Sequence, residues 1–301
     1  MNARSIWRAA GNWRAHPLHR NEHARPFFIV GAGRSGSTLL RRILYANPAL
    51  HIPPETHVLG DAITLYRRNR HWSWPHLVRL VLAQFEFQRD FGAFDLSLRT
   101  LAQGLEATPP DKRSCAFIID RLYRAHASLH SPECTRWGDK SPYNSFHLDV
   151  IHKTFPDAQY IHLVRDGCDV VYSMVESGLF EDAESAAKRW VESVAAVGRF
   201  ARRHPSDVVE VRYEALVTRP AEVVEVLCSF LDVDPVEEML HSEYVADSMG
   251  DVPLRAHHRR AREPVSPSPV GLGRRELPGE DRGRIAPIVD SMLERMGYPR
   301  C

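Results

Sequence analysis

A chain of 301 residues, 34.3 kDa and 44% hydrophobic residues is long enough to bury roughly 75% of its unfolded surface, so it needs no disulfide or metal scaffold to fold. A net charge of +1 excludes the global positive field of a nucleic-acid binder. A mean hydropathy of −0.34, with no apolar run near ~20 residues, excludes an integral membrane segment.

Residues 1–25 are basic and polar and lack the roughly 7–15-residue apolar core of a secretory leader, so an N-terminal arm is expected there, with Trp7 and Trp13 as docking side chains. The next segment is the most informative. Phe27-Phe28-Ile29-Val30 reads as a buried strand. Gly31, Gly33 and Gly36 permit a sharp turn, and Ser37-Thr38 opens a helix whose free N–H groups favour an anion. Three readings compete for this loop. The glycines fit a dinucleotide fingerprint, with Glu55 as the ribose acid, but Pro53-Pro54 argues against a central strand before it. Gly31 to Thr38 also fits an NTPase loop, except that Ser37 stands where the phosphate-binding lysine belongs. The third reading keeps the cradle and puts the cation inside the turn, at Arg34.

Residues 58–135 read as a helical insert, with helices over 61–70 and 74–91 and a further apolar helix from Cys115. It is expected to line an acceptor site. Trp72, Trp74, Phe85, Phe87, Phe91 and Phe94 are either an apolar pocket or the core of the insert, the core having the better odds. A loop carrying Lys140 and a helix ending near Pro156 follow. Residues 159–164 form a second buried strand that runs into Arg165, with Ser173 eight residues later, just over two helical turns on. An arginine at a strand mouth and a serine on the next helix can grip one phosphate; pairing of Arg165 with Asp166 or Asp169 is the plain structural alternative. Helices over 169–177, 183–203, 221–231 and 285–296 and a strand over 208–213 complete the pattern, with a basic Pro- and Ser-rich loop at 245–275. Strands alternating with helices predict an α/β fold with a P-loop-like parallel sheet flanked by helices, in one domain over 26–301.

These motifs together resemble the sulfotransferases that use 3′-phosphoadenosine 5′-phosphosulfate (PAPS), nearest the branch of the tyrosylprotein sulfotransferases and their bacterial relatives. The resemblance covers roughly residues 26–57 and 137–298. It implies that Arg34, Ser35, Gly36, Ser37 and Thr38 hold the 5′-phosphosulfate and that Arg165 and Ser173 hold the 3′-phosphate. It further implies that Tyr213, in Arg212-Tyr213-Glu214, lies near the nucleotide, that Glu55, in Glu55-Thr56, is the catalytic base, and that Lys140, in Asp139-Lys140-Ser141-Pro142, is the catalytic lysine. His57 is the rival base, since the small-molecule branch uses histidine. Two positions depart from the pattern: Ser177 stands where the tyrosylprotein branch has an arginine, and 270–275 lack the family's tryptophan. Arg259, Arg260 and Arg262 are candidates to cover the nucleotide instead.

The implied reaction is in-line sulfuryl transfer to a hydroxyl or phenol. A sulfuryl group carries less charge than a phosphoryl group, so no metal is required on physical grounds. The 16 histidines are scattered, and His257-His258 is the one adjacent pair, so no metal set is expected. Burial that raises the Glu55 pKa would help it act as a base. A kinase or NTPase and a non-catalytic nucleotide-binding module stand as alternatives. The acceptor is open between small molecule, glycolipid, saccharide and peptide tyrosine, and the oligomeric state between monomer and homodimer. Cysteines 115, 134, 168, 228 and 301 show no close pair, which predicts unpaired thiols in a reducing, cytoplasmic compartment. Only four of the 39 basic residues are lysine, in keeping with a GC-rich bacterial genome.

Overall fold

A computed structural model describes residues 15–20, 24–89, 91–250 and 263–301. Trp7, Trp13, His257, His258, Arg259, Arg260 and Arg262 lie outside the described residues.

Strand β1 (Phe27–Val30) is buried along its whole length, as a strand covered on both faces must be. It pairs in parallel with β3 (Arg136–Lys140) on one side, Phe27 opposite Gly138, and with β4 (Gln159–Val164) on the other, Phe27 opposite Gln159. The two-residue strand β2 (Leu50–His51) flanks β3, and β5 (Val208–Arg212) flanks β4. The sheet is therefore five-stranded and parallel, in the order β2-β3-β1-β4-β5. Such sheets bind ligands beyond their carboxyl ends, where connections diverge to the two sides. Here that place lies beyond β1, between β3 and β4.

The insert supplies α2 (Leu59–Asn69), α3 (Trp74–Glu86), α4 (Leu98–Glu106) and α5 (Cys115–His130), after α1 (Ser37–Tyr45). Ser114 caps α5 by accepting the Phe117 N–H at 3.0 Å. After β3 come α6 (Leu148–Thr154), α7 (Gly167–Glu176) and α8 (Ala183–Arg203). Asp166 caps α7 through the Cys168 N–H, and Asp182 caps α8 through that of Ser185. After β5 follow α9 (Tyr213–Thr218), α10 (Pro220–Leu231), α11 (Leu272–Glu276) and α12 (Gly279–Arg295). One core packs the insert against the Phe28 and Tyr160 side of the sheet, and a second packs α1 and α10 against the Phe27 and Ile161 side. A third joins α7, α8 and α12.

Four expectations change. Lys140 ends a strand rather than sitting in a loop, because the run Trp137-Gly138-Asp139-Lys140 is buried and pairs with β1. Helix α3 stops at Glu86 rather than continuing to 91. Trp74, Phe85 and Phe94 are core residues, as the better-odds reading had it, and Trp72 and Phe87 are exposed, but the insert was expected to line the acceptor site and none of its described residues lines the cleft described below. Cys168 and Cys301 are joined as a disulfide; 133 residues separate them, so no spacing in the sequence announces the pair. Among the described residues no helix is long and apolar enough to cross a membrane.

Candidate active site

The loop after β1 is built by its backbone. Gly36, at φ +98°, allows the turn into α1, and the Tyr213 ring fills the space where a side chain would start: a Cβ there would meet it at 2.4 Å. Arg34 is left-handed at φ +66°, a conformation that costs a non-glycine residue roughly 1–2 kcal/mol. Strain of this kind gathers where a side chain must be aimed. Arg34 Nε donates to Ser173 Oγ at 3.2 Å, so the loop cation and the helix serine meet. Ser145 pins the start of the loop from both sides, accepting the Gly31 N–H at 2.9 Å and donating to the Gly31 carbonyl at 3.1 Å.

Arg165 leaves β4 and lies over the Tyr213 ring, its Cζ 4.4 Å from the centroid. It donates to the carbonyls of Arg34 at 3.3 Å and Pro269 at 2.7 Å, and it lies 3.4 Å from Asp169. Asp169 is mostly engaged elsewhere, accepting the Gly271 and Gly273 N–H groups at 2.8 and 2.7 Å, and Asp166 pairs with Arg274. The plain pairing of Arg165 with Asp169 thus exists, at a long distance, but leaves the buried Arg165 Nε without a partner. Ser35 Oγ is likewise buried and unpartnered. Two orphaned donors among convergent N–H groups fit a multiply charged anion.

At the other end of the loop, the Lys140 ammonium donates to Glu55 Oε1 and lies 3.4 Å from Thr38 Oγ1. Glu55 Oε2 lies 3.0 Å from His57 Nε2. Thr38, Lys140, Glu55 and His57 thus form one polar run that starts on the loop. Burial alone would raise the Glu55 pKa; the Lys140 charge and the His57 hydrogen bond outweigh it and hold the carboxyl well below the ordinary range. The raised pKa that would help a base is therefore not found in the free protein.

Below this run is a layer the sequence did not reveal. Asp139 is buried and accepts from the Tyr123 hydroxyl at 2.5 Å, Asn144 Nδ2 at 2.6 Å and Thr56 Oγ1 at 3.3 Å. Burial raises its pKa. Ser141 Oγ accepts the Thr56 N–H at 3.2 Å. The Glu55-Thr56 pair is therefore fixed to the end of β3. The available signal was Asp139 itself, next to Lys140 in Asp139-Lys140-Ser141-Pro142. Arg41 and Arg42, both fully buried, serve a similar purpose on α1. Arg41 Nη2 donates to the Met249 carbonyl at 2.9 Å and Arg42 Nη1 to that of Glu263 at 2.6 Å, tying the segments on either side of 251–262 to the donor helix.

These groups surround a cleft of about 520 Å³. Arg34, Gly36, Ser37, Thr38, Arg165, Ser173 and Tyr213 line it together with Glu55 and His57, and Pro264–Pro269 closes one side. The lining also includes Tyr143, Phe146, Leu179, Phe180 and Arg189, from the segments after β3 and α7 and from α8.

A sequence model of the Sulfotransferase family matches residues 26–238. The chain belongs to this family. The sulfotransferase is 24% identical over 293 residues to Protein-tyrosine sulfotransferase 1 of Danio rerio, an alignment covering 94% of this chain and 74% of that relative. Among solved structures it is similar to the sulfotransferase domain of the Synechococcus PCC 7002 olefin synthase, with a TM-score of 0.64, 25% identity, and coverage of 91% of this chain and 98% of that one. The sulfotransferase domain from the curacin biosynthetic pathway gives the same TM-score at 23% identity, covering 93% of this chain and all of that one. The fold and the enzyme class, transfer of a sulfuryl group, follow from this membership.

Proposed function

We propose that the cleft binds PAPS as sulfuryl donor and transfers the group in line to a hydroxyl acceptor, with Glu55 as general base. The observation that supports this most is the run Thr38, Lys140, Glu55, His57, which joins the donor loop to a carboxylate through one ammonium. Arg34 and the loop N–H groups neutralise the phosphosulfate, while Arg165 and Ser173 hold the 3′-phosphate against Tyr213. Lys140 is committed to Glu55 before the donor arrives. A phosphosulfate beside Thr38 competes for that ammonium and draws it to the oxygen between phosphorus and sulfur, where charge grows as the S–O bond breaks. Glu55 then loses its compensating charge, its pKa rises, and it takes the acceptor proton as the new O–S bond forms. A sulfuryl group carries less charge than a phosphoryl group, so the arginines, Lys140 and the backbone suffice to balance it.

The apolar wall of Tyr143, Phe146, Leu179 and Phe180 supports an acceptor whose hydroxyl sits on an apolar or aromatic body. The similarity to protein-tyrosine sulfotransferases points to a protein tyrosine as one such phenol. The arginine-rich composition supports a bacterial source, and the Cys168–Cys301 disulfide weighs against the cytoplasm.

Titration of the purified chain with 3′,5′-adenosine bisphosphate, beside ATP and NAD, tests the donor site. The bisphosphate is expected to bind preferentially. Arg34→Ala and Arg165→Ala should each weaken it roughly ten- to hundredfold, the range for charge-assisted hydrogen bonds. A preference for ATP with Mg²⁺, or for NAD, would refute the reading.

A further inference from the structure

At the amino ends of β4 and β5, remote from the cleft at their carboxyl ends, three residues from three elements converge. His152 lies in the last turn of α6, His204 caps the C-terminus of α8, and Asp207 lies in the turn into β5. One ligand atom from each lies within 4.8 Å of the other two, the one such group of His, Cys, Asp and Glu among the described residues. The two imidazole centroids are 4.1 Å apart, and His204 Nδ1 is 3.8 Å from Asp207 Oδ2.

We propose that His152, His204 and Asp207 form a binding site for a first-row divalent transition metal, Zn²⁺ above all, with two nitrogens and one oxygen as ligands and water in the remaining position. The donor set fits this class: imidazole with one carboxylate suits Zn²⁺, whereas Mg²⁺ and Ca²⁺ seek oxygen alone. Zn–N bonds of about 2.0–2.1 Å need the ligand atoms somewhat closer than they stand, and all three side chains are partly exposed and able to adjust. The backbone behind them is fixed. The His204 carbonyl accepts the Asp207 N–H at 3.1 Å, and the Asp207 carbonyl accepts the Tyr160 N–H at 2.7 Å.

The electrostatics also favour a cation. Both histidines sit at helix C-termini, where the helix dipole is negative, and α8 is 21 residues long. The nearby guanidinium of Arg203 is held by Asp149 at 2.7 Å. Two polar atoms here lack partners: His152 Nδ1 and the hydroxyl of Tyr160, whose ring lies 6.4 Å from that of His152. The chain order hides the set, since His152 lies some fifty positions before the other two. A metal here would staple α6 and α8 to the sheet and take no part in sulfuryl transfer.

The test uses the full chain, stripped with chelator and dialysed. Zn²⁺ is titrated calorimetrically, Co²⁺ is followed by its d–d absorption, and Mg²⁺ serves as control. Wild type is compared with His152→Gln, His204→Gln and Asp207→Asn. Wild type should bind one equivalent of Zn²⁺ at micromolar concentration that each variant binds at least about tenfold more weakly. Zn²⁺ should raise the wild-type Tm and leave that of His204→Gln unmoved, while affinity for 3′,5′-adenosine bisphosphate stays equal. Zn²⁺ binding that is the same in wild type and all three variants, or absent from wild type, overturns the proposal.

Discussion

With Glu55 as the base, as proposed above, its environment sets two opposed demands. In the free protein Lys140 and His57 hold it ionised and weakly basic, while catalysis needs it to accept a proton. Release of Lys140 to the donor resolves the conflict and has a kinetic signature. The acid limb of kcat/KM for the donor reports the free enzyme, and that of kcat the loaded one. The kcat limb should therefore lie at higher pH. Equal limbs would show that Lys140 stays on Glu55 throughout. Glu55→Gln should lower kcat about 10²- to 10⁴-fold, the usual span for a general base, and leave bisphosphate binding nearly intact. His57→Gln should cost far less; the reverse order would make His57 the base. The Glu55→Gln variant needs a stability check, because a buried Lys140 without its carboxylate costs roughly 3–5 kcal/mol.

At the scale of elements, the donor cradle depends on β1, α1, β4 and α9 meeting at Gly36. Tyr213 opens α9, lies against Gly36 and carries Arg165 on its ring. Gly36→Ala is thus strained twice, by a positive φ and by a Cβ 2.4 Å from the Tyr213 ring. It should destabilise the fold by about 1–3 kcal/mol in urea unfolding. By displacing Tyr213 and Arg165 it should also weaken bisphosphate binding at least about tenfold, as loss of one charge-assisted contact would. Unchanged affinity would separate Tyr213 from the donor site. The elements legible in the sequence were those with sustained pattern: β4 at 159–164 and α8 at 183–203 stand where periodicity put them, and α10 begins one residue early. Short elements were not legible. Strand β2 has two residues, and α9 six, directly after a strand. Helix α12 begins at Gly279, ahead of the predicted 285, because Glu280 and Asp281 complement its first turn and Pro287 is accommodated within it.

Over the whole molecule, the candidate site was legible because the sheet order converts sequence motifs into one place. Arg34 follows β1, Lys140 ends β3, Arg165 follows β4 and Tyr213 follows β5, and these strands are neighbours in a parallel sheet. Motifs spread from 34 to 213 therefore converge at the carboxyl edge. The acceptor wall, the Asp139 layer and the histidine clusters have no such rule behind them, since packing between remote segments creates them. One of those clusters makes stability depend on pH. His51 on β2 lies 2.7 Å from His126 Nδ1 through its Nε2 and 2.9 Å from Ser131 Oγ through its Nδ1. His130 lies tilted against His126 with centroids 4.3 Å apart, and Arg41 adds a further positive charge. Burial first, then these neighbours, lowers His51 to about 3 and His126 to about 2 from 6.5. In the unfolded chain both rings take up protons below pH 6.5, while in the native protein they stay neutral down to pH about 3. The unfolded state thus binds more protons across that window. Stability from this pair is complete above pH 6.5 and declines as pH falls, by roughly 1 kcal/mol per pH unit for each ring. His126→Phe keeps an aromatic ring against Phe94 and removes one proton site. Urea unfolding at several pH values between 6.5 and about 4.5 should show a shallower loss of stability in this variant, by about one proton's worth of slope. Parallel pH profiles in wild type and variant would mean that His126 takes up its proton in the native state.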